Sequence, residues 1–332
     1  MVKLIKPVLL LALTVAFATV NAHQKDKKIY CHHAEVKCAK TVTSAFSPDG
    51  TLWRLWSFKQ KLFFEKSKDS GNTFSQPQEI RTVNEKISSR GENRPKIAFD
   101  SQGGVYLSWA TPKKKRFTAD IRFIYSLDNG KTFSSPVTVN DDGLLAGHSF
   151  NEMLVTANGD VSLIWLDSRN RILKKDQNIN GSSIFHGSAN IRGGDSKFIN
   201  KELISGTCQC CRLAFTFDNQ NNEVMLWRHI FGKNTREFAL MNIKSSPDLS
   251  RVSYDHWEID GCPHQGGAVS ISKKDRYHLT WYNQGKKGQG VFYAYSDDKG
   301  KTLSSPLNVG NTANQAAHPH MLHTNNRVDI VW

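Results

Sequence analysis

Six short strand patterns recur along the chain, and each of them ends in a tryptophan. In each copy a turn rich in Asp, Gly or Asn precedes aromatic and β-branched residues, as in Gly-Val-Tyr-Leu-Ser-Trp at 104–109. Such runs beside tight turns predict hairpin strands. The tryptophans recur at intervals of 51 to 62 residues, at Trp56, Trp109, Trp165, Trp227, Trp281 and Trp332. Two hairpins in about 50 residues make one four-stranded blade, so the pattern predicts an all-β, six-bladed β-propeller.

A second repeat supports this prediction. The pattern Ser-x-Asp-x-Gly-x-Thr followed by Phe or Leu occurs at 67–74, 126–133 and 296–303. In such a turn the Asp side chain can accept bonds from its own backbone amides, and Gly supplies a positive φ. The pattern resembles the Asp-box, or BNR repeat, of the sialidase superfamily. We interpret it as a folding element on the hairpin between the outer strands, without a role in chemistry.

The two repeats together set the blade boundaries within one domain, 23–332. The predicted blades are 39–83, 92–140, 148–205, 208–260, 262–310 and 316 onward. The last blade holds only two strand patterns. One possibility is that the N-terminal stretch around residues 28–31 adds a strand and closes the ring. The alternatives are that the blade is thin or that the chain continues beyond Trp332.

The first 22 residues predict export. Lys3 and Lys6 precede an apolar run from residue 8 to residue 20, and small residues end at Ala22. This arrangement is typical of a secretory signal peptide, and the apolar run is too short for a membrane span. We therefore expect a secreted or periplasmic protein that does not span a membrane.

Charge narrows the range of partners. The formal net charge is +14 and the lysines are scattered, with short runs only at 25–28 and 113–116. Export and this scatter argue against nucleic acid, whereas a basic surface remains compatible with a small anionic or glycan ligand. We expect a monomer.

The segments before the six innermost strands carry the candidate chemistry. In a propeller these segments converge on one rim of the central channel, where ligands bind. All six cysteines and seven of the twelve histidines lie in them. The candidate residues there are Cys31, His32, His33 and Cys38; Glu92 and Arg94; His148; Cys208, Cys210, Cys211 and Arg212; Cys262 and His264; and His318 and His320.

Two overlapping interpretations of these cysteines stay open. One is a set of disulfides, with Cys31 bonded to Cys38 and Cys262 bonded to one cysteine of the 208–211 segment. The other is a soft-metal site for copper or zinc, because thiolate and imidazole suit both ions. A redox-active cysteine pair is a further functional alternative. The proposed ligand cluster is Cys208, Cys210, Cys211, Cys262 and His264, joined by His318 and His320 from one side and by His32, His33 and Cys38 from the other.

The sialidase resemblance covers most of the chain after residue 22, and it implies a fold more than an activity. Active members bind the sialic acid carboxylate with three arginines and use a tyrosine nucleophile and an acidic acid/base. The Phe/Tyr-Arg-Ile-Pro motif that carries the first arginine is absent here. Arg94 beside Glu92, together with Arg212 and His148, forms the candidate set for an anionic ligand. Tyr282 and Tyr293 lack the context of a nucleophile.

The Cys-x-Cys-Cys-Arg segment resembles a subgroup of exported bacterial Asp-box proteins without established chemistry. Our leading hypothesis is a propeller whose Cys- and His-lined funnel binds a soft metal ion, or holds a ligand in a disulfide-braced pocket. An exo-sialidase or another glycoside hydrolase is the first alternative. A glycan- or partner-binding module is the second.

Overall fold

Short strands joined by tight turns make up nearly the whole of the described chain, as the hairpin patterns predict. The computed structural model describes residue 31 and residues 34–82, 85–174, 179–244, 246–324 and 327–332. The predicted signal peptide and His32 and His33 lie outside these residues. The all-β prediction is confirmed, since the only α-helix among the described residues is a single turn, Asn170–Leu173.

The strands of the unit His33–Trp332 form consecutive antiparallel groups. The first group holds β1 (Val42–Phe46), β2 (Leu52–Phe58), β3 (Lys61–Ser67) and β4 (Gln78–Ile80). The second holds β5 (Lys96–Phe99), β6 (Val105–Pro112), β7 (Ala119–Ser126) and β8 (Val137–Thr138). The third holds β9 (His148–Val155), β10 (Asp160–Asp167), β11 (Ser182–Asn190) and β12 (Ile199–Thr207).

The remaining strands continue the same order. The fourth group holds β13 (Ala214–Phe217), β14 (Glu223–Phe231), β15 (Thr235–Asn242) and β16 (Ser246–Arg251). The fifth holds β17 (Gly267–Ile271), β18 (Tyr277–Gly285), β19 (Gly288–Ser296) and β20 (Leu307–Gly310), and a hairpin of β21 (His320–Thr324) and β22 (Arg327–Val331) follows. Two 3₁₀ turns lie at Val36–Cys38 and Thr312–Asn314. One residue pair, Thr207 with His229, joins the third and fourth groups into a single sheet.

The first strands of successive groups lie side by side, in the order β1, β5, β9, β13, β17 and β21. All six line one cavity of about 410 Å³. This arrangement brings the segments that precede them to a common centre, as the sequence predicts. The number of blades stays a prediction.

The repeated tryptophans explain how the groups pack. The first five of them lie on the second strand of each group or at its end, with at most 1% of their surface exposed: Trp56, Trp109, Trp165, Trp227 and Trp281. Each is buried with aromatic and aliphatic residues, so burial of large apolar area stabilises every group separately. Trp332 differs, because about half of its surface is exposed.

The three Ser-x-Asp-x-Gly-x-Thr segments lie between the third and fourth strands of their groups. In the second, the Asp128 carboxylate accepts bonds from the amide of Thr132 at 2.9 Å and from its hydroxyl at 2.6 Å. Gly130 has a φ of 77°, and a Cβ on it would stand 2.6 Å from the ring of Trp53 in the preceding group. The turn therefore closes a hairpin and also spaces two groups.

Candidate metal centre and central cavity

Three buried thiols lie on one loop between β12 and β13. The amide of Cys208 donates to the Arg228 carbonyl at 3.0 Å, which fixes the start of the loop. Cys208, Cys210 and Cys211 expose 0%, 5% and 1% of their surface. The Cys208 sulfur lies 3.7 Å from that of Cys210 and 3.0 Å from that of Cys211. All three sulfurs lie within 4.8 Å of one another, and we call them the inner triad.

A second set of three ligand atoms shares Cys210. Its sulfur, the sulfur of Cys262 and a ring nitrogen of His264 lie within 4.8 Å of one another, and we call them the outer triad. Cys262 and His264 are exposed, on the loop between β16 and β17. The side-chain amide of Gln209 points to the Cys262 sulfur at 3.9 Å. The structure thus brings together the five residues that form the core of the predicted cluster.

A buried guanidinium contributes to the electrostatics of the inner triad. Arg228 is 2% exposed and donates to the carbonyls of Tyr282 at 2.7 Å, Arg236 at 3.1 Å and Gln265 at 3.3 Å. No carboxylate among the described residues forms an ion pair with it, so its charge acts on the neighbouring sulfurs. A buried cation of this kind favours thiolates.

The inner triad distributes its protons unequally. Hydrogen bonds from Cys210 and Cys211, with a smaller contribution from the Arg228 charge, lower the pKa of the Cys208 thiol against the effect of burial. The bond to Cys208 raises the pKa of Cys210, and burial raises that of Cys211. The directions of these shifts make Cys208 the most readily ionised of the three thiols, whereas Cys210 and Cys211 hold their protons more tightly. A soft cation can replace those two protons.

The sulfur positions are compatible with more than one chemistry. Sulfurs that bind one tetrahedral zinc ion at about 2.3 Å stand roughly 3.8 Å apart. The 3.7 Å separation of Cys208 and Cys210 matches this value, whereas Cys211 must move outward by a fraction of an ångström. The same 3.0 Å pair is still well outside the roughly 2 Å of a disulfide.

Glu92 fixes the loops that carry both triads. Its carboxylate accepts bonds from the Arg212 amide at 3.4 Å, the Arg212 Nε at 3.2 Å and the Gly266 amide at 3.2 Å. His318 Nδ1 lies 3.3 Å from it. Burial opposes ionisation, but the bonds from His318 and Arg212 outweigh it and lower the pKa of Glu92 to about 2. Glu92 therefore positions the loops, and its carboxylate is already occupied by protein donors.

The central cavity is a separate, basic site beside the thiols. Arg94, Lys96, Arg212 and His320 line it together with Glu152. Lys96 forms an ion pair with Glu152, and Arg212 forms one with Glu92. Arg94 forms no ion pair among the described residues, and its buried Nε has no hydrogen-bond partner. The cavity thus holds one cationic side chain whose charge and donor are available to a ligand.

His320 belongs to this cavity and is not part of either triad. Burial first, and then the charges of Arg212 and Arg94, lower its pKa to about 3. It is therefore neutral at physiological pH. His318 also lies apart from the triads, since its backbone amide donates to the Gln265 side chain at 2.8 Å and its ring faces Glu92. Neither ring joins the thiols in a set of ligand atoms within 4.8 Å of one another, and a role of these two histidines as metal ligands stays a prediction.

Two further predicted site residues have other partners. The predicted disulfide between Cys31 and Cys38 is confirmed, and it removes Cys38 from the candidate metal ligands. His148 is fully buried, with Nδ1 2.6 Å from the Ala119 carbonyl and Nε2 3.2 Å from the Asp142 carboxylate. It does not line the central cavity, so it serves a buried hydrogen-bond network and not ligand binding.

The structure also shows a third set of metal-type ligands that contains His148. Asp142, His148 and Asp167 lie within 4.8 Å of one another. Arg169 bonds the Asp167 carboxylate at 2.9 Å and lies 3.6 Å from Asp142. Because Arg169 and His148 already bind both carboxylates, we interpret this set as a structural ion network.

Comparison with known proteins gives the fold. No protein-family model matches the chain, and no curated protein matches it significantly. An α-L-arabinofuranosidase from Fusarium graminearum aligns over 87% of this chain and 85% of its own, at 15% identity and a TM-score of 0.56. An α-L-arabinanase from Penicillium chrysogenum aligns over 84% of both chains, at 14% identity and a TM-score of 0.54.

A sialidase, Hadza microbial sialidase Hz136, aligns over 82% of this chain and 58% of its own, at 12% identity and a TM-score of 0.50. Likeness at these identities shows the fold alone. The chain therefore has the β-propeller fold of the sialidase-like class, as the repeats predict. Among the described residues, no helix has the length and apolar character needed to cross a membrane.

Proposed function

We propose that this protein binds a soft metal ion, with Cu(I) preferred over Zn(II), through the thiolates of Cys208, Cys210 and Cys211. One observation carries the proposal: three thiols from a single loop are buried with their sulfurs mutually within 4.8 Å. Thiols that are buried only as packing residues have no reason to cluster in this way. Thiolates are the ligands that soft cations prefer.

Coordination number favours copper. Structural zinc sites almost always take four protein ligands, whereas the inner triad supplies three and Cys262 does not join Cys208 and Cys211 in one set. Cu(I) is stable with two or three sulfur ligands. The predicted export adds a second reason, because thiols outside the cytosol tend to be oxidised unless a metal or a disulfide holds them.

A metal titration tests the proposal. Reduced protein is titrated anaerobically with Cu(I) in competition with bicinchoninate, and in parallel with Zn(II). We expect tight binding of one copper, and Cys208→Ala or Cys211→Ala should weaken it by about 100-fold or more. Met321→Leu and His320→Ala serve as matched controls, since both residues line the cavity and neither belongs to a triad.

Each possible result of the titration has a different meaning for the proposal. No copper bound by the reduced wild-type protein would contradict the proposal. Equal loss in the His320→Ala control would place the metal in the cavity and not at the thiols. Tighter Zn(II) than Cu(I) binding would leave the site in place and overturn the choice of metal.

A second candidate function is binding of a small anionic ligand in the central cavity. The supporting observation is Arg94, whose buried Nε has no hydrogen-bond partner and whose guanidinium forms no ion pair among the residues that the structure describes. A carboxylate or sulfate group would satisfy both requirements through a charge-assisted bond. Calorimetry with N-acetylneuraminate and with inorganic sulfate tests it, with Arg94→Ala expected to abolish the heat and Arg94→Lys to retain part of it.

A glycoside hydrolase remains the alternative that the structural neighbours support, because the arabinanase, the arabinofuranosidase and the sialidase act on sugars. Fold alone does not carry an activity across at such identities.

A further inference from the structure

The two triads share one sulfur and differ in their access to solvent. Cys210 belongs to both sets, and its own surface is 5% exposed. Its inner partners, Cys208 and Cys211, are buried, whereas its outer partners, Cys262 and His264, are exposed. The five ligand atoms form two sets of three within 4.8 Å of one another and not one set of five, so the two triads are separate sites that share Cys210.

We propose that the outer triad is the docking site for incoming Cu(I) and that Cys210 hands the ion to the inner triad. This inference rests on the proposed function, since it names the route by which the buried site is filled. The donor is a Cu(I) complex whose ligands exchange with the thiolates of Cys210 and Cys262 and the imidazole of His264.

The loop around His264 is built to hold the outer ligands in place. His264 has a φ of 54°, in the left-handed region where histidine, asparagine and aspartate are the most frequent residues other than glycine. The next two residues are held by contacts with other segments, because the Gln265 carbonyl accepts from Arg228 and the Gly266 amide donates to Glu92. These contacts fix the backbone next to His264.

The Cys262 sulfur has a support of its own on the other loop. Gln209 donates toward it at 3.9 Å, and Arg171 in turn donates to the Gln209 side chain at 2.6 Å. Gln209 stands between Cys208 and Cys210 in the chain, so the same loop that carries the buried sulfurs also orients the exposed one. Partners of this kind fix metal ligands in position.

The transfer is a ligand exchange without electron transfer. Cu(I) first exchanges its donor ligands, which dissociate, for Cys210, Cys262 and His264, and the two thiols release their protons to water. Cys208 and Cys211 then replace Cys262 and His264 while the Cys210–copper bond is kept. Cys211 gives its proton to solvent, Cys262 takes one back, and copper remains Cu(I) throughout.

Stopped-flow transfer from the Cu(I)–bicinchoninate complex to reduced, metal-free protein tests the route. The double variant C262S/H264A should bind the same amount of copper at equilibrium as the wild type, with a rate of uptake lower by about tenfold or more. His256→Ala is the matched control, since His256 is an exposed histidine on the same loop, also has a positive φ, and belongs to neither triad. Its rate should equal that of the wild type.

The complementary double variant, C208A/C211A, removes two ligands of the inner triad, where the transfer ends, and keeps the outer triad. Copper should still bind rapidly but weakly, and X-ray absorption should show a mixed sulfur and nitrogen shell, against a sulfur-only shell in the wild type. Unchanged uptake in C262S/H264A, or a wild-type shell that already contains nitrogen, would overturn the route. Absence of copper binding by the wild type would instead contradict the proposed function itself.

Discussion

The Glu92 carboxylate accepts hydrogen bonds from both the backbone amide and the guanidinium of Arg212, although 120 residues separate them in the chain. Arg212 directly follows the inner triad, and Glu92 also binds Gly266 beside the outer ligands. One carboxylate therefore fixes the relative position of the two loops that carry the thiols. Its charge is required for that role, because all of its partners are donors.

We expect Glu92→Gln to destabilise the protein by about 3 kcal/mol, the usual cost of leaving one partner of a buried ion pair alone. The pKa of Glu92 is about 2 in the folded protein against 4.5 for an ordinary glutamate. A lowered folded-state pKa stabilises the fold fully above pH 4.5, and the contribution is lost as pH falls toward 2. Urea unfolding of both proteins between pH 3 and 7 should thus show a difference that shrinks below pH 4.5. A difference independent of pH would contradict the role of the charge.

The turn segments give a prediction about folding. Gly130→Ala forces a side chain into a left-handed conformation and against the Trp53 ring, where a Cβ would stand 2.6 Å away. Strain and overpacking together should cost about 3 kcal/mol. Gly50→Ala is the matched control, because Gly50 has nearly the same φ, 80° against 77°, but no atom within 4 Å of its Cβ position. It should cost only about 1 kcal/mol. Equal midpoints in urea for the two variants would show that the turn does not space the groups.

The periodicity of the sequence was enough to predict the fold and the convergence of the segments that form the site. It did not predict which side chains bind one another. The tryptophan spacing placed the segments before the inner strands together, and this is why Cys208, Cys210, Cys211, Cys262 and His264 were grouped correctly. Nothing in the sequence marked Arg228, because its importance comes from burial beside the sulfurs and not from a motif.

The incorrect assignments have a common physical cause. His148 and Glu92 were candidates for ligand contact because they precede or begin inner strands. In the structure their polar atoms are hydrogen-bonded to other residues of the protein, such as Asp142 for His148 and Gly266 for Glu92. Which polar residue is left with a free donor depends on the packing of all the groups, so Arg94 could be singled out only from the structure.

The central cavity predicts an unusual titration. The pKa of His320 is lowered to about 3 by burial and by Arg212 and Arg94, and we expect its ring to stay neutral from pH 8 to pH 4. Arg94→Ala removes one positive neighbour and should raise the pKa of His320, whereas Arg327→Ala, on the exposed end hairpin, should not. The Hε1 chemical shift followed by NMR measures both. A wild-type ring that titrates near 6.5 would show that the cavity is neither buried nor basic.

The cavity also predicts the result of a hydrolase assay. Glycosidases generally need two carboxyl groups across the bond that breaks, or, in sialidases, a tyrosine nucleophile. Among the described residues that line the cavity, Glu152 is the only carboxylate, and it is paired with Lys96. The Tyr293 hydroxyl lies 2.8 Å from the His278 ring, and Tyr282 packs on Trp257. We therefore expect no turnover of fluorogenic sialosides or arabinofuranosides.

The assay becomes decisive when variants are included. Any turnover above buffer must be compared between the wild type, Glu152→Gln and Arg94→Ala, with Arg327→Ala as a control on an exposed residue far from the cavity. Turnover that disappears in the first two, while their unfolding midpoints and the control remain unchanged, would place hydrolysis in the cavity and overturn our ranking. Turnover that persists in all variants would come from a contaminating enzyme, because a reaction in this cavity should depend on Glu152 and Arg94, the one carboxylate and the one unpaired guanidinium among the described residues that line it.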